Sequence, residues 1–402
     1  MPRFIHTADW QIGKPFRYVT EGKKRYKLQE ERIKAISRIG KIANDLLADG
    51  IIVAGDLFDS STVPKEIVME VIESIGKINM PLFVIPGNHD HGGISGIWQR
   101  NDVKNEMIKR APNMKLLNRC IPYVTDKYVL LPCPLLRRHE TRDPTDWLRK
   151  YNWEGIEDTI PRVIIAHGGI KGFAGKNYDA DKSFDAYNTN ELNVDLLPKN
   201  EFDYIALGDW HNLKSVKEDT WYSGTPEPDR FDQGEEENRG QIIVVDVERN
   251  KKPEIQIIKT SGIEWHKIKV ELESNEDIIN LEAKLDNMIS GRVGRDLLRI
   301  EISGNLGLEE FERLNKLLMD LDSQLIHLRV KGKCHKRPEN KDLSKLFEMK
   351  ADPVISNVAR KLSEELKSIN KSSLINDKGV SDLEITEEAL CELYRLVNSK
   401  LK

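Results

Sequence analysis

The chain has 402 residues, 32% charged and 39% hydrophobic, with a formal net charge of −4. That length predicts two or three domains with a large core, and near-neutrality excludes a polycationic nucleic-acid binder, so any such contact must come from local basic patches. The cysteines Cys120, Cys133, Cys334 and Cys391 are far apart, which argues against a disulfide framework or zinc knuckle and fits a reducing cytosol.

The N-terminus, Met1-Pro2-Arg3-Phe4, leads straight into an apolar run, Phe4–Thr7, that predicts a strand and no signal peptide. A helix is expected over Lys24–Asp49, where Leu28, Ile33, Ile36, Ile39, Ala43, Leu46 and Leu47 recur at helical spacing and Gly50 supplies a stop. A strand follows at Ile51–Ala54. Pro64 then suits the first turn of a helix reaching Ile78, with Ile67, Val68, Val71, Ile72 and Ile75 on its apolar face. Further strands are expected at Leu82–Ile85, Tyr128–Leu131, Val163–Ile165, Tyr204–Leu207 and Gln241–Val247. This alternation over residues 1–260 predicts an α/β domain, a sheet covered by helices on both faces. The polar stretch Gly168–Leu192 reads equally as a functional loop or a surface excursion.

Residues 261–335 change character. Strands at Trp265–Val270, Leu297–Ile302 and Gln324–Val330 alternate with helices at Asn275–Ile289 and Leu308–Met319, which predicts a small α+β domain. Residues 336–402 read as a polar linker and two amphipathic helices. One spans Pro353–Ile369 with Val354, Ile355, Val358, Leu362 and Leu366; the other starts at Thr386 with Leu390, Leu393, Leu396 and Val397. Such faces need cover, from a partner or from this chain. No apolar run approaches the roughly 20 residues that span a bilayer, so a cytoplasmic protein with no membrane contact is expected.

Five short segments each follow an apolar run: Asp9-Trp10-Gln11, Gly55-Asp56-Leu57-Phe58-Asp59, Gly87-Asn88-His89-Asp90, Ala166-His167-Gly168 and Gly208-Asp209-Trp210-His211. Carboxylates, an asparagine and histidines at the carboxyl ends of successive strands converge on one sheet edge, where open α/β sheets bind ligands. Asp56 is the natural ligand shared by two cations, because a carboxylate bridges where a neutral imidazole does not. One cation is expected on Asp9, Gln11, Asp56 and His211, the other on Asp56, Asn88, His167 and Asp209. This oxygen-rich set with a few imidazoles suits Mn²⁺. Two divalent cations can activate water for in-line attack on phosphorus. His89 is expected to donate to a phosphoryl oxygen or to protonate the leaving group, with Asp90 beside it in the catalytic loop. Asp59 and Asp90 are expected to orient histidines. His6 reads as a sheet residue and His91 as loop surface.

This series resembles the calcineurin-like metallophosphoesterases. Phe4-Ile5-His6-Thr7-Ala8-Asp9-Trp10, Gly55–Asp59 and Tyr222-Ser223-Gly224-Thr225-Pro226-Glu227 are similar to segments of the SbcD-type DNA double-strand-break repair exonucleases. The resemblance covers residues 1 to about 330. It implies a four-layer metallophosphoesterase sandwich, sheets covered by helices, followed by an α+β capping or DNA-binding domain. It also implies a homodimer, and C-terminal helices that dock on an SbcC-type SMC-like coiled-coil ATPase. Gln11 stands where the family has histidine, and Asp209 where the last motif has its first histidine. Asp9, Asp56 and Asp209 then leave +1 against two divalent cations where the family pattern leaves +2, which predicts a slower or more Mn²⁺-dependent enzyme.

Local basic clusters are candidates for DNA contact: Arg137, Arg138 and Arg142 with Trp147, Arg149 and Lys150, and then Lys331, Lys333, Lys336 and Arg337. The leading expectation is a Mn²⁺-dependent DNA exonuclease/endonuclease. The alternatives are a phosphatase or phosphodiesterase of the same fold, or a catalytically weak DNA-end-binding subunit.

Overall fold

The computed structural model describes residues 1–171, 189–231, 238–336, 344, 346–347, 353–368 and 382–400. Two units, Met1–Glu264 and Trp265–Lys402, each hold their own core.

The first unit begins β1 (Arg3–Thr7), α1 (Gly22–Asp45), β2 (Gly50–Val53), α2 (Lys65–Gly76), β3 (Leu82–Val84), α3 (Asn101–Arg110) and β4 (Met114–Leu116). It continues β5 (Tyr123–Val124), β6 (Val129–Cys133), β7 (Arg162–His167), β8 (Gly169–Ile170), β9 (Glu191–Leu192) and β10 (Tyr204–Gly208). It closes with β11 (Lys214–Lys217), β12 (Thr220–Tyr222), β13 (Gln241–Asp246) and β14 (Glu254–Lys259).

These strands form two six-stranded sheets, ordered β14-β13-β1-β2-β3-β4 and β11-β12-β10-β7-β6-β5. Strands β1 to β4 are parallel, as are β12, β10, β7 and β6. The sheets pack face to face: Phe4, Ile52 and Phe83 from the first share a core with Leu130, Val163, Ile165 and Ala206 from the second. The two sheets form the sandwich that the resemblance implies, in place of the single sheet that strand–helix alternation alone suggests. Helices α1 to α3 cover the outer face of the first, where Ile5, Ile51 and Val53 meet Ile36, Ile39, Val71 and Ile75. Loops and the 3-10 turns Asp146–Lys150 and Val194–Leu196 cover the outer face of the second. Strand interiors buried on both faces explain why their sequences are continuous apolar runs rather than alternating ones.

Helix α1 ends at Asp45, short of Asp49. Leu47 does not join its apolar face: it has φ 53° and is 86% exposed. Gly50 is the first residue of β2 rather than a helix stop; a Cβ there would stand 2.9 Å from the Phe83 ring. The apolar face of α1, Leu28, Ile36, Ile39 and Ala43, is buried within this chain.

The second unit is built on β15 (Trp265–Leu272), α4 (Asn275–Ile289), β16 (Leu297–Leu306), α5 (Leu308–Gln324), β17 (His327–Gly332) and β18 (His335–Lys336). Its strands pair in parallel, with β16 between β15 and β17. Helix α4 starts with a capping box in which Ser274 and Asp277 satisfy each other's backbone N–H. The helices Pro353–Ser368 and Asp382–Lys400 pack together through Ala359, Leu390, Cys391 and Tyr394, with Leu308 in the same cluster. Val354 and Val358 point away from that cluster and are 69% and 41% exposed. Among the described residues no helix is long and apolar enough to cross a membrane, and none of the four cysteines forms a disulfide.

Candidate metal centre

Five loops at the carboxyl ends of β1, β2, β3, β7 and β10 meet where the two sheets face each other. The first two are joined backbone to backbone: Asp9 N donates to Gly55 O, Gln11 N to Asp56 O and Ile12 N to Leu57 O, at 3.1, 2.9 and 3.0 Å. Four candidate ligands take left-handed backbone conformations: Asp9 (φ 54°), Gln11 (φ 40°), Asp56 (φ 53°) and Asp209 (φ 94°). Each such non-glycine residue costs on the order of 1–3 kcal/mol and persists only where its surroundings over-determine it, typically at functional sites. Glycines make the room. A Cβ on Gly55 would stand 2.2 Å from His167 Nδ1, and one on Gly87 would stand 2.2 Å from Asp56 Oδ1.

Asp9, Asp56 and His167 are fully buried and present ligand atoms all within 4.8 Å of one another. His167 Nδ1 donates to the Ala54 carbonyl at 2.8 Å, which turns Nε2 toward the centre. Nε2 lies 3.1 Å from Asn88 Oδ1, 3.6 Å from Asp56 Oδ1 and 3.9 Å from Asp209 Oδ1. The Asp209 backbone N donates to both Asp9 carboxylate oxygens at 3.2 Å. On the other side Gln11 Nε2 is 3.2 Å from His211 Nε2, and Lys14 Nζ donates to Gln11 Oε1 at 2.6 Å.

The electrostatics favour a cation. Burial, helped by Asp56 and Asp209, pushes the Asp9 carboxyl up to about 8 against the pull of His167. Burial opposes charge on His167, but Asp56, Asp9 and Asp209 outweigh it and raise the imidazole to about 9. Burial also opposes charge on Asp56, yet His167 and His89 hold that carboxyl below its ordinary value. The buried Asp9 and Asp56 and the half-buried Asp209 thus compete for one imidazolium, the imbalance that a divalent cation removes. Carboxylates, a carboxamide and an imidazole are a donor set suited to such an ion.

His89 stands at the rim, its side chain 30% exposed. Its Nδ1 donates to the Asp59 carbonyl at 2.7 Å, and Nε2 is 4.0 Å from Asp56 Oδ2. Asp59 therefore orients a histidine through its backbone oxygen rather than its carboxylate. Asp90 orients none: its carboxylate accepts from the backbone N–H groups of Leu57, Phe58 and Gly87 at 2.9, 3.3 and 2.8 Å. These bonds tie the Asp56 loop to the Asn88 loop.

The carboxylate that orients a histidine is Asp229, which accepts from His211 Nδ1 at 2.9 Å, from Lys14 Nζ at 3.0 Å and from Arg239 at 3.1 Å. Arg32, buried in α1, clamps the Asp9 loop. It donates to the carbonyls of Trp10, Asp9 and Glu227 at 2.7, 3.1 and 2.9 Å and to Thr225 Oγ1 at 3.0 Å. Neither Lys14 nor Arg32 stood out in the sequence. His6 bridges the sheets, with Nδ1 2.8 Å from the Tyr204 hydroxyl and Nε2 3.1 Å from the Leu207 carbonyl.

Arg137 and Arg138 are exposed beyond the end of β6, the neighbour of β7. Leu135 N donates to Pro86 O and Gly92 N to Leu135 O, at 3.1 and 2.8 Å, so this segment lies against the loop that carries Asn88 and His89. Arg149 is ion-paired with Asp143 and Asp146, and Trp147 packs on Tyr151, so both serve the fold. In the second unit Lys333 and Lys336 are exposed and Lys331 half-buried, with Lys336 Nζ 4.7 Å over the Phe311 ring. Arg337, Asp232 and most of the Gly168–Leu192 stretch lie outside the described residues.

Fold and site together define a metal-dependent phosphoester hydrolase. A family model for the calcineurin-like phosphoesterases matches residues 2–238, and the chain belongs to that family, with its mixed α/β metallophosphoesterase fold. Among solved structures it is similar to TT1561 of Thermus thermophilus, at 11% identity and a TM-score of 0.39, over 64% of this chain and 99% of that one. A second solved structure matches at 11% identity and a TM-score of 0.38, over 65% of this chain and 100% of the other.

Proposed function

We propose that this chain is a DNA nuclease that hydrolyses phosphodiester bonds with divalent cations, Mn²⁺ foremost, as the nuclease subunit of an SbcCD-like repair complex. The observation that carries the phosphodiester part is the buried Asp9–Asp56–His167 cluster with Asn88 and Asp209 against it and His89 at its open rim. The DNA part draws support from the SbcD-like segments. Tyr222–Glu227 is wholly buried, and its Thr225 and Glu227 take hydrogen bonds from the arginine that clamps the Asp9 loop. The exposed Arg137 and Arg138, beside the His89 loop, give a phosphate backbone a place to approach the rim.

Asp56, Asn88, His167 and Asp209, with Asp9 buried beside them, would hold the cation, which when bound activates water and offsets charge on the phosphoryl group. His89 contributes separately. Its Nδ1 donates to the Asp59 carbonyl, so Nε2 faces the open rim and carries a proton there when the ring is charged. Burial works against charge on this ring, but Asp56 and the Asp59 carbonyl prevail and raise its pKa. It is therefore equipped to donate to a phosphoryl oxygen or to the leaving oxygen. A coiled-coil ATPase partner and a homodimer belong to the same reading. The exposed Val354 and Val358 and the basic Lys331, Lys333 and Lys336 are where such contacts are proposed.

The test is cleavage of end-labelled linear DNA, single- and double-stranded, with and without Mn²⁺, beside a generic phosphodiester reporter. Mn²⁺-dependent DNA cleavage supports the reading. Reporter turnover without DNA cleavage makes the chain a small phosphodiesterase, and silence on both, with the coiled-coil ATPase absent and present, makes it a DNA-end-binding subunit.

A further inference from the structure

The two halves of the centre are not equivalent. Around His167 Nε2 the distances to Asn88, Asp56 and Asp209 are 3.1, 3.6 and 3.9 Å. At cation–ligand distances of about 2.1 Å, neighbouring ligands stand about 3.0 Å apart in an octahedron and about 3.4 Å in a tetrahedron. That half is a cation site awaiting only small adjustments.

The other half is paired with itself. Gln11 Oε1, the one side-chain oxygen this residue has for a cation, accepts from Lys14 Nζ at 2.6 Å. Gln11 Nε2 faces His211 Nε2 at 3.2 Å. Because His211 Nδ1 donates to Asp229, Nε2 carries the lone pair, and that lone pair accepts from the glutamine amide. Rotating the amide by 180° would set its NH₂ against the Lys14 ammonium and its oxygen against the His211 lone pair, so the network selects the orientation seen. The ammonium is held from a second side by Asp229 Oδ2 at 3.0 Å, and its side chain is only 24% exposed.

We propose that this centre holds one tightly bound divalent cation, on Asp56, Asn88, His167 and Asp209, and that Lys14 supplies the second positive charge where a second cation would otherwise sit. The charges agree. Asp9, Asp56, Asp209 and Asp229 carry −4, which Lys14, Arg239 and one divalent cation cancel (−4 + 1 + 1 + 2 = 0). This inference rests on the divalent-cation reading above but not on the DNA substrate.

The experiment is a Mn²⁺ titration of the full-length chain, stripped with chelator and followed by calorimetry and by the electron paramagnetic resonance signal of free Mn²⁺. The wild type should take up one equivalent at least 100-fold more tightly than any second. Gln11→His should bring in a second equivalent. Lys14→Met should tighten the second event about tenfold or more, and by more than it tightens the first, while Lys14→Arg should behave as wild type. Far-ultraviolet circular dichroism checks that each variant is folded. Two equivalents bound within tenfold of each other by the wild type would overturn the asymmetry while leaving the divalent-cation reading intact. No tight equivalent would overturn both.

Discussion

Arg32 Nη2 donates to the backbone carbonyl of Asp9 at 3.1 Å, from a guanidinium buried inside helix α1. The same side chain reaches Trp10, Thr225 and Glu227, so one residue fixes the left-handed Asp9 loop against the Tyr222–Glu227 segment. Arg32→Met removes those donors and strands several buried acceptors, each at about 1–3 kcal/mol. We expect a loss of at least about 3 kcal/mol in denaturant unfolding together with weaker Mn²⁺ binding. Stability within about 0.5 kcal/mol of wild type would show that the clamp is dispensable.

Asp90 offers both carboxylate oxygens to three backbone amides. Asn keeps the shape but turns an NH₂ toward an N–H. Asp90→Asn is expected to destabilise by about 2–4 kcal/mol and to weaken metal uptake without abolishing it. Chemical unfolding beside metal titration measures both; unchanged stability with lost activity would instead give Asp90 a chemical role.

The contact of His89 with a proposed ligand is its backbone N–H, which donates to Asp56 Oδ1 at 2.9 Å and survives substitution, so His89→Asn should leave Mn²⁺ uptake and thermal stability near wild type. Turnover should fall about 10²–10³-fold, with most of the loss in kcat. Equal loss of metal content would make His89 a ligand.

The buried acid and imidazole set the pH response of the metal-free chain. Asp9 is raised from 3.8 to about 8, and His167 from 6.5 to about 9. Groups raised in the folded state stabilise it fully below their unfolded pKa and lose that contribution as pH climbs through the folded one. In chelator, the melting temperature should therefore fall between pH 6.5 and about 9. Cations displace these protons, so the gain in melting temperature from Mn²⁺ should grow across the same window. A thermal-shift series at fixed ionic strength reads both; a flat chelator series would contradict the assignment.

The strand interiors were readable because Ile51–Val53 and Val163–Ala166 are buried on both faces, and continuous apolar runs follow from that. Asp9, Asp56, Asn88, His167 and Asp209 were readable because each directly follows such a run. Pairing two sheets face to face followed from the family resemblance alone, since alternation along the chain carries no information on strand order. Arg32 looked like one more charge on an amphipathic helix, because its acceptors at Thr225 and Glu227 lie nearly two hundred residues away. Asp229 carries no sequence signal for the same reason, as its partner His211 becomes a neighbour only through folding. Lys14 sits next to a ligand loop, but the turn of its ammonium onto Gln11 is a tertiary fact.

The most direct measurement is hydrolysis of linear DNA with Mn²⁺ by wild type and Asp56→Asn, prepared identically. Asp56 is the carboxylate closest to both His167 and His89. The account predicts Mn²⁺-dependent cleavage by wild type and at least a roughly 10³-fold loss in the variant, with its fold intact. Equal cleavage by both would place the activity outside this centre and contradict the account.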